Sequence, residues 1–333
     1  MKMINESSLD FSFGQSEISL SRTVRFWLLL FSDSFSIICT LILLDYLLRD
    51  RKLRHALSNH VIIILLALGL TTQMIEIPMY LAFIAHSGFV RPSRPVTCQI
   101  WWFVSLGMYN AGTIFMAWAA IERHILVFKS QWISTRREKK FIHYLPMGII
   151  LLYIFIFYIY VLFISPCQNT YEYELPICGS SPCYQANHFF GLWDFILNNI
   201  LPTLLVVLMS IAFVIRVKRQ KNRLNQHHQW RKQRKMLIQL LSLSALNIVF
   251  NMPLNVLSLA RFCGLPNDFA VEAQHYFYFS CYFLIFLFPF VCLVSYPELV
   301  LRVKRKVLCR KVQLNFTPIL HAWLLQRKNR KHE

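Results

Sequence analysis

At 333 residues the chain is 56% hydrophobic and carries 28 phenylalanines, more apolar material than a water-soluble domain of this length needs for its core. Its 35 lysines and arginines against 16 acids give a net charge of +19, which taken alone would suit a nucleic-acid binder. The basic residues instead fall between long uncharged stretches, which points away from a soluble enzyme or a nucleic-acid-binding domain.

Seven such stretches occur in chain order, at 26–48, 61–84, 101–121, 144–165, 189–214, 236–259 and 276–296. At 1.5 Å per residue, about 20 residues cross a bilayer core, and backbone groups in lipid must pair within their own segment. Each stretch therefore predicts a membrane helix. The expected fold is an all-α membrane protein, a seven-transmembrane helix bundle. The expected division is an extracellular N-terminus at 1–25, the bundle at 26–296 and a basic tail at 297–333.

The first stretch starts only at Phe26, lacks a small-residue cleavage site and is long enough to span, so it reads as its own signal-anchor rather than a cleaved leader. Ahead of it, Asn5-Glu6-Ser7 is a glycosylation sequon. The third stretch carries no Asp, Glu, Lys or Arg and is bracketed by Cys98 and Glu122-Arg123-His124. An arginine at a helix end is most often an interfacial anchor; here an acid precedes it. Prolines sit within or beside four stretches, at Pro78, Pro202, Pro253 and Pro289. A proline removes one backbone hydrogen bond and crowds the preceding turn, so each marks a hinge.

Charge gives the direction. The segments 49–60, 123–143 and 216–235 hold 4, 6 and 9 basic residues, and the tail beyond Tyr296 holds 10. Lys2, Arg22, Arg25, Arg91, Arg94 and Arg261 fall on the other side. The positive-inside rule then places the N-terminus outside and the C-terminus in the cytoplasm, with the basic loops against anionic inner-leaflet lipids. Plasma membrane is the expected location, with Arg22 and Arg25 flanking the first helix on its outer side.

These features together resemble the rhodopsin-like G-protein-coupled receptors over nearly the whole chain. Cys98, Glu122-Arg123-His124 twenty-five positions on, and the four prolines carry the resemblance. It implies a receptor that transduces an extracellular stimulus to a heterotrimeric G protein, with Glu122, Arg123, His124 and Lys235 at the coupling face. Glu122 would hold the Arg123 guanidinium at rest, and an outward swing of helix six would free it. The resemblance also implies a bridge from Cys98 to the second outer loop, with Cys167, Cys178 and Cys183 as candidate partners. Cys178 is favoured, with Cys167 and Cys183 closing the loop on itself; Cys183 to Cys98 is the alternative, and Cys263 stays free. After Tyr296, Leu299, Val300, Val303 and Val307 form an apolar stripe among basic residues, resembling the short cytoplasmic amphipathic eighth helix, with Cys309 as a lipidation site.

Departures from the family pattern narrow what carries over. Gly69 or Leu70 stands where the sodium-site aspartate would be, Asn251 stands for the switch tryptophan, and Phe288-Pro289-Phe290-Val291-Cys292 replaces Asn-Pro-x-x-Tyr. Ser105 stands where amine receptors carry aspartate, and Tyr282 where opsins carry lysine. The expected pocket comprises Trp102, Ser105, Met108, Tyr109, Asn251, Tyr278 and Tyr282, suited to a peptide or an apolar small molecule. No cofactor or metal is expected. Of the intramembrane acids, Asp45 and Asp194 lie near helix ends and are expected to be solvated; Asp33 and Glu76 would mark an ion path in the alternative reading, a seven-helix transporter or channel. A non-signalling scaffold or decoy is a third reading. No arrangement of catalytic side chains is visible, so an enzyme is not expected.

Overall fold

The computed structural model describes residues 18–129, 135–179, 182–223, 238–239, 241–266 and 269–301. Within them run seven long apolar helices: α1 Arg22–Arg49, α2 Leu57–Ala85, α3 Pro95–Phe128, α4 Arg136–Ile164, α5 His188–Arg219, α6 Leu241–Arg261 and α7 Val271–Val294. The shortest has 21 residues, enough at 1.5 Å each for a core about 30 Å thick. Among the described residues there is no strand. Asn5, Lys235 and Cys309 lie outside the described residues, as does most of the expected eighth helix; helical backbone is present at 297–301, with Leu299 packed into the bundle.

Local chemistry sets the helix ends. Ser21 caps α1, its hydroxyl accepting from the Val24 N–H at 3.4 Å, so the helix begins a turn before the apolar run. That takes Arg25 inside, at 2% exposure, where it faces the Tyr80 hydroxyl at 3.5 Å; the expectation that it merely flanks the helix is corrected. Asp50 ends α1 and caps the short helix Arg51–Arg54 through the Lys52 N–H.

Pro78 and Pro289 lie inside α2 and α7. Pro202 and Pro253 each follow a wide π-helical turn, at Asp194–Ile200 and Asn247–Asn251. An extra residue in the turn before a proline relieves the clash between its ring and the carbonyl one turn back. A similar wide turn, Phe103–Met108, lies in α3, where Gly107 lets the backbone approach Tyr158 of α4; a Cβ there would stand 3.3 Å from the ring.

The bundle is apolar outside and polar within. Phe35, Leu152 and Val249 are each at least 60% exposed, a surface only lipid accommodates. Asn110, Thr113, Asn198, Thr203, Ser210, Ser244 and Asn247 are buried between helices, where small polar side chains hold neighbours together. Two large apolar cores stack along the axis, with a smaller one of Ala120, Phe213 and Val217 beside them. One holds Trp101, Trp102, Tyr158, Tyr184 and Phe286 near the end with the disulfides; the other holds Leu43, Leu66, Phe115, Met116 and Phe288 toward the basic end. α3 contributes to both, and so is the axis on which the candidate site hangs.

Candidate functional site

Two ends of α3 concentrate the chemistry. At the first, Cys98 is bonded to Cys178, and Cys167 to Cys183, with Cα–Cα separations of 5.6 and 5.9 Å. This is the favoured pairing of the sequence analysis, and Cys263 is free and exposed. The clamped loop lies over the bundle: Trp102 Nε1 donates to the Ile177 carbonyl at 2.8 Å and its ring stacks on Tyr171 at 5.3 Å. Trp102 therefore supports the loop above it.

Under that loop, Asp194 of α5 is 5% exposed and accepts from Tyr158 at 2.5 Å, Tyr184 at 2.8 Å and Asn198 at 2.8 Å. The expectation of a solvated Asp194 is corrected: the short loop helix Cys183–Ala186 folds Tyr184 across it. Burial first, and then the neighbouring carboxylate, push the Tyr184 hydroxyl well above the usual tyrosine range, so it remains a donor. Gly191 lets α5 reach that loop helix, since a Cβ would stand 2.3 Å from the Gln185 carbonyl. Asp45, by contrast, is exposed and pairs with Arg49 at 2.6 Å.

Deeper in, the expected pocket residues divide into separate contacts. Tyr282 of α7 donates to Glu76 of α2 at 3.0 Å and its ring lies 5.8 Å from Tyr80. The Tyr109 hydroxyl sits beside the Cys281 thiol, which itself donates to the Phe250 carbonyl at 3.3 Å. Asn251 is fully buried on α6 and donates to Thr203 of α5 at 3.0 Å and to Asn247 at 3.1 Å, leaving its own carbonyl oxygen without a partner. Tyr278 is half exposed, Ser105 and Met108 are half-buried, and Ser105 turns back toward the Trp102 carbonyl. Thr203, Asn247 and Asn255, which also reaches Thr203 at 3.3 Å, were not anticipated. The signal for the two asparagines was the spacing of four at 247, 251 and 255 along α6, which puts three amides on one face; Thr203 on α5 had none.

At the basic end, Arg123 is buried and its Nη2 donates to Gln239 Oε1 at 2.9 Å, while Nη1 is buried without a partner. Gln239 in turn reaches Cys292 of α7 at 3.7 Å. Glu122 takes no part in this; its carboxylate is bonded to His143 of α4. The expected Glu122–Arg123 ion pair is thus absent among the described residues. Side chains of adjacent residues point about 100° apart on a helix, so His143 on one flank and Gln239 on the other capture them separately. His124 Nε2 donates to the Met209 carbonyl of α5 at 2.7 Å, with its ring edge-on to Phe213. Three adjacent side chains, Glu122, Arg123 and His124, thus tie α3 to α4, to Gln239 just ahead of α6, and to α5.

The family model of the seven-transmembrane receptors, rhodopsin family, matches residues 39–292, well over half of the chain. The chain belongs to that family. A search of curated proteins finds no match to it. Membership fits the seven spans, the loop disulfide to α3 and the acid-arginine pair at the opposite end. This rhodopsin-family receptor departs from the expected contacts where its own side chains differ: Gln239, just ahead of α6, receives Arg123, and His143 supplies a partner that draws Glu122 aside. The polar ends expected of the α7 motif are missing, and Cys292 fills one of them as a fully buried thiol.

Proposed function

We propose that this receptor transduces an extracellular stimulus to a heterotrimeric G protein from the plasma membrane, with its N-terminus outside and its basic loops in the cytoplasm. The observation that carries this reading is the buried Arg123 bridged to Gln239. A guanidinium held by one neutral amide, with a second nitrogen unpartnered, is poised to exchange that contact for carbonyls of a docking partner once α6 moves. Lys235, four residues before Gln239, would join the coupling face. The outer half supports a peptide or an apolar small molecule as ligand, because aromatic surface dominates around Tyr109, Tyr278 and Tyr282.

The test is a G-protein dissociation assay in cells expressing the receptor, run across peptides, lipids and small odorants. Dissociation with at least one ligand supports the reading. Current or uptake on expression, lost with Asp33 or Glu76, would favour a transporter or channel instead. Glu76 is engaged by Tyr282, and Asp33 is buried with its Oδ1 lacking a hydrogen-bond partner, which does not build a relay.

A further inference from the structure

Where α1, α2 and α7 meet in the outer half of the bundle, three buried acceptor groups are short of donors. Glu76 is the deepest acid among them, 4% exposed and about 13 Å below the outer end of α2 at 1.5 Å per residue. Among the described residues its carboxylate receives one hydrogen bond, from Tyr282 at 3.0 Å. Asp194, similarly buried on α5, receives three. A carboxylate accepts about four, and holding one out of water on a single neutral donor is costly. The fold satisfies one deep acid and leaves the other short.

The neighbours of Glu76 add acceptors rather than donors. One turn inward on the same face of α2, Gln73 gives its amide N–H to Ser36 of α1 at 2.5 Å, and its Oε1 is buried without a partner. One turn outward of Ser36 on α1, Asp33 is buried with Oδ1 unpartnered. Arg25, two turns further out on α1, faces the Tyr80 hydroxyl and forms no hydrogen bond to Glu76.

Aromatic side chains complete the surround. The Tyr282 ring lies 5.8 Å from that of Tyr80, one turn outward of Glu76, and 6.5 Å from that of Phe279. The charge of Glu76 also acts on Tyr109 of α3 and Cys281 of α7, which places both nearby. The Tyr109 hydroxyl is buried with no nitrogen or oxygen partner. A carboxylate among phenol rings suits an organic cation, which gains from the charge and from the ring quadrupoles. A small inorganic cation is served less well, because it needs about six oxygen ligands, and no metal-binding cluster exists among the described residues. Half-exposed Tyr278, one turn outward of Tyr282 on α7, marks the approach from the outer side.

We propose that Glu76, with Tyr282 and the rings of Tyr80 and Tyr109, is the counter-ion site for an organic cation on the ligand. The group is an ammonium or guanidinium, as on the N-terminus, a lysine or an arginine of a peptide. In the empty site Tyr282 is the one donor to the carboxylate. In the filled site the N–H groups of the cation take the remaining lone pairs, and a charged contact ties α2 to α7. The role of this cation as a signal rests on the chain acting as a receptor; the cation site does not.

The experiment uses the full chain in lipid nanodiscs and two matched probes, phenethylammonium chloride and uncharged phenethyl alcohol. Melting temperature is recorded against probe concentration at constant ionic strength. At saturation the ammonium should stabilise the wild type by about 2–4 °C, and more than the alcohol does. Glu76→Gln keeps an acceptor for Tyr282 and removes the charge. It should weaken the ammonium at least about tenfold and leave the response to the alcohol unchanged. Without any probe, Glu76→Gln should melt higher than wild type, because a buried charge short of partners is gone. A lower melting temperature marks the acid as structural and overturns the site. So does equal stabilisation by the two probes, no response of the wild type to the ammonium, or an undiminished response in Glu76→Gln. The two probes on the wild type decide the question even if Glu76→Gln fails to fold. Stabilisation by sodium chloride over potassium chloride as large as that by the ammonium, and lost in Glu76→Gln, overturns the organic cation in favour of an inorganic one.

G-protein dissociation in cells separates this site from coupling. Cationic peptides or amines that trigger it should lose at least about tenfold in potency in Glu76→Gln. Dissociation driven by uncharged ligands alone, undisturbed in Glu76→Gln, overturns the role of the site in signalling and leaves coupling intact. Stabilisation selective for the ammonium, with no dissociation under any condition, overturns coupling and leaves the cation site standing.

Discussion

Arg123 and Gln239 join α3 to the helical segment just ahead of α6 through one 2.9 Å hydrogen bond between a buried guanidinium and a buried amide. Such a bond to a charged donor contributes about 1.5–3 kcal/mol, less than a buried carboxylate partner would. The closed arrangement is therefore held lightly. Gln239→Leu should raise basal G-protein activation several-fold, because the guanidinium loses its hydrogen bond to the helical segment just ahead of α6, while Gln239→Glu should lower it by supplying an opposite charge. Basal dissociation of the G protein, normalised to surface receptor, measures both. Equal basal activity in the two variants would contradict a restraining role for this contact.

Arg123→Ala should abolish or strongly reduce ligand-driven signalling while leaving insertion and surface delivery intact. The residue lies at the end of α3, and its loss removes a buried charge with one unpartnered nitrogen. Removing it relieves a desolvation cost as well as deleting a contact. Thermal stability should change little or rise. Unchanged signalling would show that the receptor couples through another contact.

Much of this arrangement was legible in the sequence because it depends on charge and length. Uncharged runs between basic loops placed seven helices, and Cys98 with Glu122-Arg123 marked the two ends of α3. What escaped were contacts set by rotation about a helix axis and by loops crossing over helix ends. Glu122 and Arg123 are adjacent in sequence, yet leave α3 in different directions, and nothing in the tripeptide says that His143 waits on one side. Gln239 carries no charge to mark it as a partner for Arg123, yet its neutral amide serves that bond. Asp194 lies near a helix end, where solvation is the default expectation, but Tyr184 belongs to a loop pinned by Cys167–Cys183 and Cys98–Cys178. Distance along a helix does not reveal what a disulfide-tethered loop will cover.

Cys98→Ser should sharply reduce surface expression. The bridge closes a loop of 80 residues, and losing a native disulfide costs about 2–5 kcal/mol. It also frees the segment whose Ile177 carbonyl receives Trp102, so two supports go together. Peptide mapping under non-reducing conditions should recover Cys98 with Cys178 and Cys167 with Cys183. Recovery of Cys98 linked to Cys263 would refute the assignment, as would normal surface levels of the serine variant.

Asp194 anchors the network that holds this loop against the bundle. Its two oxygens accept from Tyr158 of α4, Tyr184 of the loop and Asn198 of its own helix, and Asn110 of α3 donates to Tyr158 at 2.6 Å. Asp194→Ala would strand three buried donors, each worth about 1–3 kcal/mol when left unsatisfied, and should destabilise the receptor more than any one of the tyrosine changes. Tyr184→Phe removes a single donor and should cost about 1 kcal/mol. The melting temperature of purified receptor in detergent should fall in the order wild type, Tyr184→Phe, Asp194→Ala. Because the Tyr184 hydroxyl stays protonated through the physiological range, its contribution should not vary between about pH 6 and about pH 8. Melting temperatures of wild type and Tyr184→Phe that converge across that window would show that the hydroxyl is not the donor placed here.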